Sequence, residues 1–162
     1  MIIKVKKLHA DAVLPRFANE SAVGADLSAY LNEEDSEWTG FRRVIEPGQI
    51  LAVPTGIAVE LPESLELQIR PRSGLAARNG ITVLNAPGTI DPDYRGEISV
   101  LLVNHGKHTF IIEHGMRIAQ AVPAFRVSGM PSGLAFVEQD YLSETIRGEK
   151  GFGSTGLKEL IQ

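Results

Sequence analysis

The chain has 162 residues, 43% of them hydrophobic and 22% charged, with a formal net charge of −4. That balance suits one globular domain with a modest core and is far from the composition of a disordered chain. The lack of cysteine excludes disulfide frameworks, zinc-thiolate clusters, iron–sulfur sites and cysteine nucleophiles, and the acidic surplus disfavours general nucleic-acid binding while leaving room for one nucleotide held by a few local arginines.

The 16 glycines and 9 prolines are spread in small groups between short apolar runs, the rhythm of an all-β domain. In chain order, residues 3–6 (Ile-Lys-Val-Lys) alternate in period two, and their short apolar content is not that of a signal peptide. Gly24-Ala25-Asp26-Leu27 reads as a turn aspartate unless a triphosphate-bound cation needs a carboxylate nearby. Residues 31–40 read as an acidic surface loop, with Trp38 as a local packing anchor. Residues 50–53 follow the turn signal Pro47-Gly48, and residues 56–61 predict another strand. Residues 65–70 (Leu-Glu-Leu-Gln-Ile-Arg) alternate cleanly and stop at Pro71. Residues 73–80 predict a short helix with Ser73 as cap and Asn79-Gly80 as stop. Residues 80–84 and the apolar run 98–103 predict two strands flanking a wide, turn-rich hairpin end, and residues 108–112 and 117–122 complete the strands. No run approaches the roughly 18–20 apolar residues that span a membrane, so a cytoplasmic location is expected.

Four segments could carry chemistry. Arg70-Pro71-Arg72-Ser73-Gly74-Leu75 places two arginines before a helix start, where free N–H groups favour an anion; a capped helix beside a surface arginine accounts for the residues equally well. Residues 84–97 would expose hairpin backbone able to read a pyrimidine edge, with the Asn85 amide beside it, Asp91 as a candidate general base and Tyr94 as a flat surface for a sugar; an Asp-rich turn is the plainer alternative. In Arg117-Ile118-Ala119-Gln120, alternation puts Ile118 and Gln120 on one face, where the glutamine would need a partner. Residues 148–156 hold four glycines in nine positions, with Arg147, Phe152, Ser154 and Thr155 alongside. The lack of a Lys-Ser/Thr ending argues against an ATPase P-loop; an arm that closes over a bound nucleotide fits better, and a disordered tail accounts for the residues equally well. His105, His108 and His114 match no zinc spacing.

Taken together and in this order, residues 22–29, 71–76, 88–97, 115–120 and 147–156 resemble the five motifs of the trimeric dUTPase family, over nearly the whole chain. One departure is Ala25, where that family often carries a large aromatic. The resemblance implies a distorted jelly-roll-like β-barrel with one short helix, a single domain over 1–162, and residues 147–162 as a flexible glycine-rich arm closing the site. It implies a homotrimer whose active sites lie between subunits: the hairpin from one chain, Arg72, Ser73 and Gln120 from a neighbour, the arm from the third. It implies Mg²⁺-dependent hydrolysis of dUTP to dUMP and pyrophosphate, which keeps uracil out of DNA and supplies dUMP for thymidylate synthesis. In that scheme Asp91 is the base; Ser73, Gly74 and nearby N–H groups hold the phosphates; Arg72 and Arg147 grip them; Gln120 holds a phosphate or a water. Asp26 steadies the hydrated Mg²⁺, Asn85, Gly88, Thr89 and Ile90 frame the uracil, and Tyr94 refuses a ribose hydroxyl. Phe152, Gly153, Ser154 and Thr155 close over the base. A dCTP deaminase of related fold, expected to carry a catalytic glutamate, and a non-catalytic nucleotide-binding protein are the alternatives; ammonia release from dCTP and pyrophosphate release from dUTP separate them.

Overall fold

The computed structural model describes residues 1–32, 41–126, 137–139, 143 and 145. Among them are twelve strands and one helix: β1 (Lys4–Lys7), β2 (Arg16–Phe17), β3 (Ala25–Ser28), β4 (Arg42–Ile45), β5 (Ile50–Pro54), β6 (Ile57–Glu60), β7 (Leu65–Arg70), α1 (Ser73–Asn79), β8 (Ile81–Val83), β9 (Gly88–Ile90), β10 (Ser99–Asn104), β11 (Phe110–Glu113) and β12 (Arg117–Phe125). The all-β expectation with one short helix therefore holds. The expected acidic surface loop 31–40 is corrected at its start, where Leu31 is buried in the core; its residues 33–40, Trp38 among them, and the arm from residue 147 lie outside the described residues.

The strands form a five-stranded sheet in the order β2-β3-β12-β7-β9, a three-stranded sheet β5-β10-β8, and two pairs, β1-β6 and β11-β4. Every pairing is antiparallel. β7 shows why its sequence folds as it does. Leu65, Leu67 and Ile69 are buried, while Glu66, Gln68 and Arg70 face outward and bond along the strand, Gln68 Nε2 to Glu66 Oε1 at 2.6 Å and Arg70 Nε to Gln68 Oε1 at 3.1 Å. Burying each aliphatic side chain stabilises the sheet by about 1.5–3 kcal/mol, which fixes the register, because a one-residue slip would turn all three outward. β12 is buried on both faces over Ile118–Val122 and runs between β3 and β7. Its β3 ladder ends at Ala121, so Pro123 lies where the strand has a free edge and a missing N–H is tolerated.

The expected hairpin is present. β8 pairs with β10, Leu102 opposite Val83, and its wide end does more than turn: residues 88–90 form β9 and join the edge of β7. The Asp26 segment differs from its reading as a turn. It is strand β3, with Leu27 and Ser28 buried; four residues around a charged side chain give too short an alternation to be visible in sequence. Ser73 is not the helix cap either. Arg72 occupies that position with extended backbone, no side chain caps the helix, and Ser73 is the first helical residue. The Gly80 stop is as expected, in the left-handed region at φ 70° with its N–H bonded to the Ala76 carbonyl. A Cβ at Gly80 would press into the backbone of Gly106.

Asn104, fully buried, ties that corner together. Its Nδ2 donates to the carbonyls of Ile45 and His108, both at 2.9 Å, and its Oδ1 accepts the Gly106 N–H at 2.8 Å. Asn104→Ala leaves three backbone groups short of a partner at about 1–3 kcal/mol each before relaxation. The expected outcome is a loss of about 3 kcal/mol in urea unfolding; a loss under about 1 kcal/mol would show that water replaces the amide.

Candidate functional site

The sheet brings three separated segments to one place. Asp26 on β3 lies opposite Gln120 on β12, and Gln120 lies opposite Arg70 at the end of β7. From there the chain passes Pro71 and reaches Arg72 at the mouth of α1. The Asp26 carboxylate takes one guanidinium on each oxygen: Arg72 Nε at 3.0 Å from Oδ1 and Arg117 Nη1 at 3.0 Å from Oδ2. Arg72 also donates from Nη1 to the Arg117 carbonyl at 3.0 Å. The half-buried glutamine has its partner, because Gln120 Nε2 donates to the Pro71 carbonyl at 2.9 Å. Gly24 makes room for it; a Cβ there would collide with the Gln120 amide oxygen. Two cations against one carboxylate leave the cluster with a surplus positive charge beside exposed Ser73, and the Nη2 donors of Arg72 uncommitted among the described residues. That arrangement suits a polyanion.

The hairpin segment presents a different set. Asn85 and Thr89 are exposed, Gly88 is buried and Ile90 half-buried. The Asn85 amide lies over Gly88, where a Cβ would have only 3.2 Å to its Nδ2, and the Ala86–Pro87 peptide bond before it is cis. Asp91 follows β9, its carboxylate exposed and without a hydrogen-bond partner among the described residues, while its carbonyl accepts the Tyr94 N–H at 3.1 Å. The Tyr94 ring is held flat by its own hydroxyl, which donates to the Glu97 carbonyl at 3.0 Å. Gly96 permits this, since a Cβ there would overlap the tyrosine hydroxyl. Glu97 in turn accepts the Gly56 N–H at 2.7 Å. A recess of about 290 Å³ opens beside Asp91, lined by Glu63, Pro92, Asp93 and Arg126.

These two sets do not meet within one chain. Ile90 is opposite Leu67, so Asp91 lies level with Glu66, whereas Asp26 is level with Arg70 through Gln120. Four residues along β7 is about 14 Å, and three strand spacings from β9 to β3 add about 14 Å across. Asp91 and the arginine cluster are therefore about 20 Å apart. Arg147, Phe152, Gly153, Ser154 and Thr155 lie outside the described residues.

For a metal, the donor set is poor. Among the described residues no three His, Asp or Glu side chains converge, and Asp26 has both oxygens on guanidinium groups. His114 has its Nδ1 3.0 Å from the Leu31 carbonyl and its ring edge against Tyr30, which stacks on His9 at 4.2 Å, so these histidines serve packing. Sequence reasoning missed Arg117 as a site residue. Period-two alternation assigns it to the face opposite Gln120, and nothing in four letters announces the irregularity that turns it. Ala25, the departure from the motif, is buried and lines an apolar recess of about 380 Å³ with Phe17, Leu67 and Pro123. No helix among the described residues is long and apolar enough to cross a membrane.

Comparison with known proteins gives a consistent picture. The family model described as dUTPase matches residues 11–156. The deoxyuridine 5'-triphosphate nucleotidohydrolase of Gloeothece citriformis is 52% identical, covering 97% of this chain and 98% of that one. The Rickettsia bellii protein of the same name is 51% identical, covering 96% and 95%. Among solved structures, the dUTPase of Staphylococcus bacteriophage 80alpha with dUpNHpp superposes with a TM-score of 0.76 at 24% identity, covering 96% of this chain and 99% of that one, a likeness of fold. With a family model that spans all five motif segments, and relatives half identical over nearly its whole length, the chain belongs to the dUTPase family.

Proposed function

We propose that this chain works as a dUTP diphosphatase whose active site is completed between subunits. The chain hydrolyses dUTP to dUMP and pyrophosphate, and the observation that carries this is the family match over residues 11–156, which includes both the arginine cluster and the Asp91 hairpin.

The Asp91 carboxylate aims a water at the α-phosphorus. The water oxygen bonds to phosphorus, its proton passes to the Asp91 carboxylate, and the bond to the α,β-bridging oxygen breaks to release pyrophosphate. Holding water and phosphate in line contributes several kcal/mol, and a carboxylate with no competing hydrogen bond among the described residues is available for that task. Arg72, with the Ser73 hydroxyl and the N–H groups of Ser73 and Gly74, receives the phosphates where charge builds on the leaving oxygen. Gln120 holds a phosphate or a bound water. The backbone of Gly88, Thr89 and Ile90, with Asn85, pairs with uracil; the reversed donor pattern of cytosine would leave buried groups unpaired at roughly 1–3 kcal/mol each. The Tyr94 ring under the sugar refuses a 2′-hydroxyl. Arg147 meets the phosphates and Phe152 covers the base, with Gly153, Ser154 and Thr155 giving close backbone approach. The family match extends through residue 156, which supports a role for this arm.

Mg²⁺ enters with the triphosphate as part of the substrate, offsetting its charge. The committed Asp26 oxygens support contact through water only. One solved relative, the dUTPase of phage phi11, is described with a structural Mg(II) ion.

A homotrimer with shared sites is supported by the 20 Å gap between Asp91 and the arginines, by α1, which has no buried residue, and by exposed apolar side chains such as Phe17, Val23 and Phe125. Within it each chain is one domain of jelly-roll-like barrel form, its four sheets wrapping a common core, with residues 147–162 as the closing arm. The product role implies a cytoplasmic enzyme that keeps uracil out of DNA and provides dUMP for thymidylate synthesis.

Asp91→Asn is expected to abolish pyrophosphate release while calorimetry still shows Mg–dUTP binding; retained turnover would remove Asp91 as the base. Mixing Asp91→Asn with Arg72→Ala subunits, each weakly active or inactive alone, is expected to restore about a quarter of wild-type turnover, the statistical share of sites with both residues intact. No recovery after subunit exchange would mean that the two residues serve a site within one chain. Deleting residues 147–162 is expected to leave the oligomer folded and nearly inactive; a fully active truncated enzyme would dismiss the arm.

A further inference from the structure

The pairing of β12 with β3 contains one irregularity, and it falls at the arginine cluster. Ala121, Gln120 and Ala119 lie opposite Ala25, Asp26 and Leu27 in step, but the next pair is Arg117 with Ser28. Residue Ile118 has been skipped. Unbroken alternation would set Arg117 opposite Ala29 and on the same face as Ala119 and Ala121, both buried in the core. A guanidinium there would have to be desolvated at a cost of several kcal/mol. The bulge moves Arg117 by one place, onto the face shared by Ser28, Asp26 and Gln120. Bulges next to functional sites commonly re-aim a side chain in this way. The energetic logic is one-sided: the buried Ile118 stays in the core and the cation reaches the outside.

Once turned, Arg117 contacts the site with two unrelated groups. Its side chain donates to Asp26 Oδ2 at 3.0 Å, and its backbone carbonyl, beyond the end of the β7 ladder at Gln120, accepts Arg72 Nη1 at 3.0 Å. Asp26 holds the other side of the same guanidinium through Arg72 Nε at 3.0 Å. Arg72 is thus fixed at Nε and Nη1, and among the described residues only its Nη2 donors are open to a ligand. A free arginine has several rotamers to lose on meeting a phosphate; one already clamped has lost them in the fold. The Arg117 side chain itself is 58% exposed, against 27% for Arg72, so its removal disturbs little packing.

We propose that Arg117 is a positioning residue: it acts through Asp26 and Arg72 and presets the Arg72 guanidinium for the substrate phosphates. The proposal rests on the reading of Arg72 as a phosphate-binding residue, and the test separates the two. Wild type, Arg117→Ala, Arg72→Ala and the double variant are compared for pyrophosphate release from Mg–dUTP, with thermal unfolding as a control and the NMR resonance of the Arg72 Nε–H followed in the first two. Arg117→Ala is expected to raise KM about tenfold with kcat changed by less than about threefold. It should shift and broaden the Arg72 Nε–H signal, and lower kcat/KM by less than about twofold when Arg72 is already alanine, as coupled residues do. Arg117→Gln gives the same comparison should the alanine variant unfold early. Independent, multiplicative losses in the double variant, or an unmoved Arg72 signal in Arg117→Ala, would overturn the proposal. Wild-type kcat/KM in Arg72→Ala would instead overturn the phosphate role of Arg72, and the clamp's purpose with it, even where the signal moves.

Discussion

One carboxylate organises this molecule's chemistry. Asp26 sits between Arg72 and Arg117, 19% exposed, and neither cation has another carboxylate partner among the described residues. At about 4 Å and an effective dielectric of 20, each pair attracts by about 4 kcal/mol, and desolvating the three groups costs a comparable amount. The net gain in stability is therefore small. What the cluster gains is geometry. It ties β3, the start of β12 and the mouth of α1 to one point, and it holds two like charges together that would otherwise separate. A phosphate chain entering that point meets a positive surplus already in place.

The same geometry imposes a limit. Because β12 and β7 separate β3 from β9, and Asp26 is level with Arg70 while Asp91 is level with Glu66, the Asp26 cluster and Asp91 lie far apart on one sheet. No side chain is long enough to close about 20 Å, so a reaction that needs both must draw them from different copies. The exposed face of α1 and the exposed phenylalanines fit that demand. A short helix with no buried residue is marginal by itself and gains most from a neighbour. On the proposed function, oligomer formation and catalysis are two results of one sheet order.

The strands that were plain in the sequence are those whose alternation is long and uninterrupted. β7 is the clearest: three aliphatics and three polar residues alternate to Pro71, and the strand ends where expected. β3 and β9 were hidden because they are short, and because Asp26 and Thr89 face outward from segments rich in glycine. Ser73 misled for a local reason. It has the chemistry of a cap, but the helix begins one residue earlier in register, with Arg72 held by Asp26 rather than by any cap bond. Of the candidate site, Asp26, Arg72, Ser73, Gln120, Asn85, Asp91 and Tyr94 were named from residue type and motif order; Arg117 was not, since a bulge leaves no mark in composition or period.

The sequence alone determined the all-β class, the single short helix with its Gly80 stop, and the identity of the motif residues, because alternation, turn chemistry and side-chain type are local properties. Only the tertiary structure decided which of those residues share a place. Long-range pairing set Asp26 against Arg72 and Arg117, put Gln120 on the Pro71 carbonyl, and kept Asp91 away from all of them, since strand order and register depend on which apolar faces find one another across the chain and not on any neighbouring letters.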